Sequence, residues 1–251
     1  MRALDAPHYV MTVRLARERV PSFDRYPFSL TAVRNLTALP LHPEITFLVG
    51  ENGSGKSTLL EAIAVAWGFN AEGGSRNFAF ATRSSHSELH EYLRLDRGLR
   101  RPRDGFFLRA ESYFNVATEI EYLDETPGAG PPIIDSYGGR SLHEQSHGES
   151  FLALVTQRFF GNGFYLLDEP EAALSPTRQL ALLTRLHDLA QARSQFVIAT
   201  HSPLLLAYPN ATIYSLDPDG IHQTEYEDTE HYQITRRFLS DHRGMLKHLL
   251  E

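Results

Sequence analysis

The chain has 251 residues and a formal net charge of -7, with 42% hydrophobic and 22% charged residues. This balance is typical of a soluble globular protein, and the acidic charge excludes a chain whose whole surface coats nucleic acid. The sequence has no cysteine, which excludes disulfides and thiolate metal sites and favours a cytoplasmic location. No apolar run has the length that a bilayer demands and no secretory signal is visible, so we expect no membrane insertion.

The N-terminal part of the chain has the alternating and β-branched character of strands. We predict strands at Tyr9–Leu15, Phe28–Leu36 and Glu44–Val49. The last of these, EITFLV, is apolar enough to be buried on both faces, and it runs straight into Gly50.

A glycine-rich loop follows this buried strand and leads into a helix. GENGSGKS matches the pattern G-x-x-x-x-G-K-[ST], and KSTLLEAIAVAWGF carries apolar residues at helical spacing up to a stop at Gly68. A strand, a glycine loop and a helix form a phosphate-binding P-loop, in which backbone N–H groups converge on anionic oxygens at the positive end of the helix dipole. The alternative is a glycine-rich turn that merely caps a helix. The residues expected to contact a nucleotide are Gly50, Glu51, Asn52, Gly53, Ser54, Gly55, Lys56, Ser57 and Thr58.

Two side chains of this loop have specific chemistry. Lys56 is expected to reach the β- and γ-phosphates of ATP, and the Ser57 hydroxyl is expected to ligate Mg2+. ATP and Mg2+ are therefore the predicted substrate and cofactor.

Residues 71–150 give mixed signals. We predict loops at Gly73–Gly74 and at Pro127–Pro132, helices around Ser87–Leu95 and Ser112–Leu123, and a strand at Phe106–Arg109. This part of the chain indicates a smaller lobe that is mainly helical.

From Gly148 onward, helices and strands alternate, which predicts a parallel sheet covered on both faces. A terminal hairpin and a helical tail follow. The predicted elements are a helix over the sequence ESFLALVTQRFF, a strand at Phe164–Leu167, a helix at Ser175–Ala192, a strand at Gln195–Thr200, a hairpin of Ala211–Leu216 with Ile221–Tyr226, and the tail Glu230–Glu251.

Two neighbouring carboxylates end the strand in FYLLDEPEAALSP. A strand that ends at Asp168 puts this side chain at the carboxyl edge of a parallel sheet, where ligands bind in α/β folds. We expect Asp168 to hold Mg2+, through water, and Glu169 to deprotonate the attacking water as a general base. An Asp-Glu-Pro triplet after a strand is also an ordinary start of a helix, but together with the P-loop it indicates nucleotide hydrolysis.

The motifs GENGSGKST, LLDEPEAALSP and ATHSP together resemble the nucleotide-binding domain of ABC-type ATPases. The soluble branch with RecF-like, SMC-like and small stand-alone ATPases of the AAA family is the most similar. The resemblance implies one α/β P-loop NTPase domain over residues 1–251. Its RecA-like lobe, with a parallel sheet and N-terminal antiparallel strands, would take residues 1–70 and 160–251, and the helical lobe residues 71–159.

The same resemblance implies a homodimer in which two subunits sandwich two ATP molecules. The signature loop that contacts the partner's nucleotide resembles QSHGE, which assigns this contact to Ser146, Gly148 and Glu149. Gln145 replaces the usual leucine and His147 replaces the first of two glycines. The alternative is a helix N-cap with acids in its first turn.

Three further residues receive a role from the resemblance. His201 resembles the switch histidine that senses the γ-phosphate, which puts it with Glu169 and Lys56 among the catalytic residues. Tyr26 could stack on adenine or pack at a sheet edge. Glu111 could sense the metal or cap a helix.

Three roles remain open from the sequence. The first is a motor or clamp subunit in DNA maintenance or defence, the second is an ATP-gated module with little turnover that binds a partner protein, and the third is the ATP-binding subunit of a transporter. The arginine-rich stretch Arg94–Arg109 could contact nucleic acid or could be a solvated, paired surface.

Overall fold

The structure, a computed structural model, describes residues 8–75, 87–109 and 147–251. Between the last two ranges it also describes Thr118, Tyr122, Asp124, Ile134, Asp135 and Gly139. The predicted helix at Ser112–Leu123 is therefore not described as an element, and the predicted loop at Pro127–Pro132 lies outside the described residues.

A small antiparallel sheet forms the N-terminal edge of the fold. It contains β1 (Val10–Leu15), β2 (Ala38–Pro40) and β4 (Leu93–Arg97) in the order β2-β1-β4. This confirms the predicted antiparallel strands at the N-terminus and the first predicted strand at Tyr9–Leu15.

A six-stranded sheet forms the centre of the molecule. The six strands are β3 (Ile45–Val49), β5 (Asp104–Arg109), β6 (Gly163–Asp168), β7 (Gln195–Ala199), β8 (Thr212–Asp217) and β9 (Gly220–Thr224). Their order is β5-β6-β7-β3-β8-β9, and the first five strands in this order are parallel to each other. The last strand closes the predicted hairpin antiparallel to its neighbour.

Seven helices are described. α2 is the helix predicted after the P-loop, and α3 continues as a π-helical turn over Leu154–Arg158. Short 3-10 turns lie at Arg17–Arg19, Glu88–Tyr92, Pro170–Ala173 and Tyr226–Asp228. The helices are α1 (Thr31–Arg34), α2 (Lys56–Trp67), α3 (His147–Ala153), α4 (Pro176–Gln191), α5 (Pro203–Leu206), α6 (Glu230–Ser240) and α7 (His242–Leu250).

Helices cover both faces of the central sheet. Successive side chains of its inner strands point to opposite faces, so each of these strands contributes to two apolar clusters. Along β3, Phe47 belongs to the apolar cluster of α3 and α4, whereas Leu48 belongs to the cluster of α2. The same alternation separates Ile198 from Val197 in β7. Because both faces of the sheet are buried, the sequences of these strands are continuously apolar, as predicted.

The predicted strand at Phe28–Leu36 is wrong. Its centre is the short helix α1, and the buried side chains are those of Phe28, Ala32, Val33 and Leu36. Their spacing is that of one helical face rather than the period of two that a strand requires.

The predicted helix at Ser87–Leu95 is also wrong. A 3-10 turn at Glu88–Tyr92 leads directly into β4, which pairs with β1. Two ion pairs join the strand to the N-terminal region, one from Arg14 to Asp96 and one from Arg94 to Glu18, each at 2.7 Å. Such partners are far away in the sequence, so local propensity does not reveal them.

The strand predicted at Phe106–Arg109 exists, but it does not lie apart from the central sheet. It is β5, which pairs with β6 along its whole length and forms one edge of that sheet. The described part of residues 71–159 thus contributes strands to both sheets in addition to α3. The division into two lobes at residues 70 and 160 stays a prediction.

The predicted helical tail is helical and consists of two helices. α6 ends before Asp241, whose carboxylate then accepts a hydrogen bond from the N–H of Gly244 at 3.0 Å and caps α7. In the parts of the chain that the structure describes, no helix combines the length and apolar character needed to cross a bilayer.

Candidate functional site

The predicted site residues meet at the carboxyl edge of the central sheet. β7 lies between β3 and β6, and all three strands run in the same direction. Their ends therefore bring the P-loop, the carboxylates that follow Leu167 and the histidine that follows Thr200 to one place.

The P-loop has the backbone geometry that its glycines permit. Gly50 has a φ of 147° and Gly55 a φ of 99°, values that side chains rarely allow. A Cβ atom at Gly50 would lie 2.2 Å from the carbonyl oxygen of Leu216, so the loop packs closely against the end of β8. The close packing fixes the point where the chain leaves β3.

Lys56 crosses this loop and is 3% exposed. Its Nζ donates hydrogen bonds to the carbonyl oxygens of Gly50 at 2.8 Å and Glu51 at 2.9 Å. Burial lowers the pKa of Lys56, and the nearby carboxylates of Glu169 and Asp168 partly oppose that effect. The ammonium group is thus desolvated and held beside the carboxylates.

A hydrogen bond joins the P-loop to the strand that carries the carboxylates. The Ser57 hydroxyl donates to Oδ1 of Asp168 at 2.9 Å, although the residues are 111 positions apart. Hydroxyl and carboxylate oxygens are the hard ligands that Mg2+ prefers, and it commonly takes its remaining ligands from water and phosphate. This pair fits a Mg-triphosphate, whereas the described residues contain no cluster of three His, Cys, Asp or Glu that could hold a metal alone.

A buried ion pair lies beside Asp168 that the sequence analysis missed. Arg109 is opposite Asp168 in the β5–β6 register, and its Nε is 3.7 Å from Oδ2. Its Nη1 donates to Oε2 of Glu61 on α2 at 2.7 Å. Arg109 belongs to the arginine-rich stretch for which the sequence left nucleic-acid contact and a paired surface open, but its position at the end of a predicted strand was a signal that it faces the site.

Glu169 has an unusual backbone conformation. Its φ of 49° and ψ of 53° lie in the left-handed region, and its N–H donates to the carbonyl oxygen of Ala199 at 2.9 Å. Such a conformation costs on the order of 1 kcal/mol or more in a residue with a side chain and is often found at functional sites. The carboxylate remains partly exposed and lies 3.5 Å from Nε2 of His201.

Two more residues contact His201. The N–H of His201 donates to Oε1 of Glu171, and its Nδ1 lies 3.0 Å from Nε2 of His231, at the start of α6. Burial lowers the pKa of both histidines and raises the pKa of Glu171. Glu171 belongs to the DEPE motif and could have been found from it, whereas no motif in the sequence includes His231.

Tyr26 lies beside the P-loop and is 61% exposed, so it is not packed at a sheet edge. Its hydroxyl is 3.3 Å from Oγ1 of Thr58. With Lys56, Ser57 and Glu169, these residues line a cavity of about 280 Å³. The cavity is therefore bounded by an aromatic ring at one part of its wall and by the charged groups at another.

A larger cavity, of about 710 Å³, shares Leu30, Asn52 and Gly53 with the first. Its other lining residues include Asp217 at the end of β8 and His231. Lys56, Ser57 and Glu169 line the smaller cavity, so we assign the chemistry to that one despite its size.

The signature-like segment is described in part. Gln145 and Ser146 lie outside the described residues, as does Glu111, so their predicted roles stay predictions. Gly148 is buried, and a Cβ atom there would lie 2.6 Å from the carbonyl oxygen of Ala173. Glu149 accepts a hydrogen bond from Nη2 of Arg178 at 2.9 Å, which ties α3 to the start of α4.

Two family models match the chain. One, described as "AAA domain, putative AbiEii toxin, Type IV TA system", matches residues 81–207, which is half of the chain. A second, described as "AAA domain", matches residues 27–117 and so includes the P-loop.

Individual proteins show similar relationships. The ABC transporter G family member STR2 of Medicago truncatula is 28% identical over 172 residues, which cover 63% of this chain and 24% of that protein. The chain thus spans about a quarter of the length of this curated relative. The structure reported as "An inward-facing conformation of a putative metal-chelate type ABC transporter" superposes with a TM-score of 0.51 at 18% identity, over 90% of this chain and 87% of that one.

A second solved structure, the SMC head domain from Thermotoga maritima, matches 86% of this chain and 98% of that chain at 14% identity, with a TM-score of 0.44. The transporter structure confirms the predicted α/β P-loop NTPase fold. Because the first family model extends over half of the sequence, the chain belongs to the AAA-domain family that this model describes.

Proposed function

We propose that this chain binds Mg-ATP between the P-loop and the carboxylates of β6 and hydrolyses it, and that ATP holds two copies together. The observation that carries the proposal is the bond from Ser57 to Asp168 at 2.9 Å, because it joins the two motifs on which the chemistry depends. Membership of an ATPase family supports nucleotide binding and hydrolysis.

In the proposed binding step, Lys56 exchanges the carbonyl oxygens of Gly50 and Glu51 for oxygens of the β- and γ-phosphates. Its burial strengthens this attraction, since a charge pair interacts more strongly where water is excluded. Ser57 and Asp168 would hold Mg2+, which would neutralise negative charge on the phosphates.

In the proposed hydrolytic step, Glu169 accepts a proton from the attacking water. Its carboxylate is partly exposed, and its left-handed backbone conformation sets the direction in which the side chain leaves the main chain. His201 lies 3.5 Å from that carboxylate, so it can hydrogen-bond the water or the γ-phosphate. Tyr26, whose ring is exposed beside Thr58, stacks on the adenine.

Dimerisation follows from the signature-like segment, in which Ser146, Gly148 and Glu149 contact the nucleotide of the second copy. Gly148 packs closely against the carbonyl oxygen of Ala173, and this contact supports a fixed position for the segment beside the end of β6. We propose a role as a motor or clamp subunit. The family description names a toxin–antitoxin system, which favours defence over DNA maintenance.

Nucleic-acid binding by the arginine-rich stretch receives less support. Arg94 pairs with Glu18 at 2.7 Å, and Arg97 lies 4.5 Å from the ring centre of Trp67. These side chains are already engaged within the chain, as expected of a paired surface.

A transporter subunit is the second candidate, and the similarity to STR2 over 172 residues favours it. In that case the ATPase would bind a separate membrane protein. DNA stimulation of turnover would speak against this candidate.

The test is steady-state ATP turnover by the full chain, with and without DNA, and with Mg2+ removed by a chelator. We expect turnover that chelation abolishes and that Lys56→Ala also abolishes, because this variant removes the phosphate-binding cation. Lys247→Ala, on the exposed surface of α7, is the matched control and should retain turnover. Turnover that persists in Lys56→Ala would contradict the proposal, whereas near-zero turnover with ATP-dependent dimerisation would instead indicate an ATP-gated module.

A further inference from the structure

The imidazole rings of His201 and His231 share one hydrogen bond. Nδ1 of His201 and Nε2 of His231 are 3.0 Å apart, so one nitrogen carries a proton and the other accepts it. Burial lowers the pKa of both rings, which keeps both neutral near pH 7. Two tautomeric arrangements of the pair are therefore possible.

In the first arrangement, His231 donates from Nε2 to Nδ1 of His201. The proton of His201 is then on Nε2, which lies 3.5 Å from Oε1 of Glu169 and is attracted to that carboxylate. Nδ1 of His231 is then a bare acceptor nitrogen.

In the second arrangement, His201 donates from Nδ1. The lone pair on its Nε2 would face the carboxylate of Glu169 and repel it. His231 would carry its proton on Nδ1, which is buried and has no hydrogen-bond partner among the residues described. A buried N–H with no acceptor is destabilising, whereas the Nε2–H of the first arrangement, which is also buried, has the carboxylate of Glu169 3.5 Å away, so the first arrangement is favoured.

We propose that His231 is a positioning residue that fixes His201 as the tautomer with its proton on Nε2. His231, the donor of this hydrogen bond, is held in place because it lies in the first turn of α6. Thr229 caps that helix, and its buried hydroxyl donates to the carbonyl oxygen of Tyr226 at 2.7 Å. Glu171 holds the main chain of His201 from the other side.

The consequence for turnover rests on the proposed function. A proton on Nε2 makes His201 a donor on the side of Glu169, which suits an interaction with the γ-phosphate. The tautomer itself does not depend on that function, so the two statements can fail separately.

The experiment is nitrogen NMR of the histidine rings in the nucleotide-free full chain, with His201 assigned by its loss in His201→Gln. We expect the ring proton on Nε2 and an Nδ1 shift typical of a hydrogen-bonded acceptor. His231→Phe should move that Nδ1 resonance toward the value of a free acceptor. His231→Gln, whose amide nitrogen can take the place of Nε2, should leave it unchanged, as should the control His248→Phe on the exposed surface of α7.

Turnover gives the second readout. His231→Phe should lower kcat about tenfold through misorientation of His201, with little change in KM, and His231→Gln should restore most of it. A wild-type His201 protonated on Nδ1, or an Nδ1 shift that His231→Phe leaves in place, would overturn the inference. The absence of ATP turnover with the expected tautomer would instead reject the proposed function alone.

Discussion

At the scale of single residues, Glu169 is the side chain whose proposed role is chemical rather than structural. Its carboxylate is partly exposed and, together with Lys56, lines the smaller cavity. Glu169→Gln keeps the size of the side chain but removes the base. We expect kcat to fall at least 100-fold while ATP affinity stays the same.

This prediction is checked by single-turnover hydrolysis and by calorimetric titration with ATP. Glu225→Gln changes an exposed acid elsewhere on the chain and should behave like the parent. If Glu169→Gln hydrolyses ATP at the parental rate, another group is the base.

The histidine pair also predicts how stability depends on pH. Burial holds the pKa of His201 and His231 below 6.5, so below about pH 6.5 the unfolded chain binds protons that the folded chain does not. The stability contributed by neutral histidines is present above this pH and is lost as pH falls. Glu171, whose pKa is raised, acts in the opposite direction.

His231→Gln removes one of these groups, and its amide still donates a hydrogen bond. Chemical denaturation at about pH 7.5 and about pH 5.5 should therefore show a smaller loss of unfolding free energy in the variant than in the parent. An equal loss in both proteins would mean that His231 does not contribute to the decline.

At the scale of secondary-structure elements, the ion pair of Arg109 and Glu61 joins β5 to α2 beside the site. Both side chains are mostly buried, so removal of one leaves an uncompensated charge. We expect Arg109→Met to lower the free energy of unfolding by about 3 kcal/mol.

The double variant Arg109→Met with Glu61→Gln should recover part of that loss, because a neutral amide then replaces the buried carboxylate of Glu61. Urea denaturation of both variants gives the comparison. If Glu61→Gln changes the free energy of unfolding by the same amount in Arg109→Met as in the parent, the two residues are not coupled.

How much of this could be predicted from the sequence depends on the range of the contacts. The P-loop helix and the strand that ends at Asp168 were predictable, because spacing and composition define them locally. The strand β4 was not, since it exists through its pairing with β1. The end of a predicted strand marks Arg109, but its place beside Asp168 depends on the strand order. His231 joins the site only through the position of α6, which no local pattern encodes.

At the scale of the whole molecule, the proposal requires two copies that close around ATP. The variant Glu169→Gln should accumulate this dimer with ATP, because binding remains and hydrolysis is blocked. Sedimentation velocity with and without ATP measures the change. We expect a monomer without nucleotide and a dimer with ATP.

The control for dimerisation is the same variant combined with Lys56→Ala, which should stay monomeric at any ATP concentration. A dimer that forms equally without nucleotide would show that ATP is not what joins the subunits.

The central claim is that one Mg-triphosphate binds both to the loop that carries Lys56 and to the strand end that carries Asp168. A crystal structure with a non-hydrolysable ATP analogue and Mg2+ tests it most directly. The account predicts that Nζ of Lys56 leaves the carbonyl oxygens of Gly50 and Glu51 for the β- and γ-phosphates, with the metal beside Ser57 and Asp168. Phosphates bound away from Lys56, in the larger cavity beside Asp217, would contradict it.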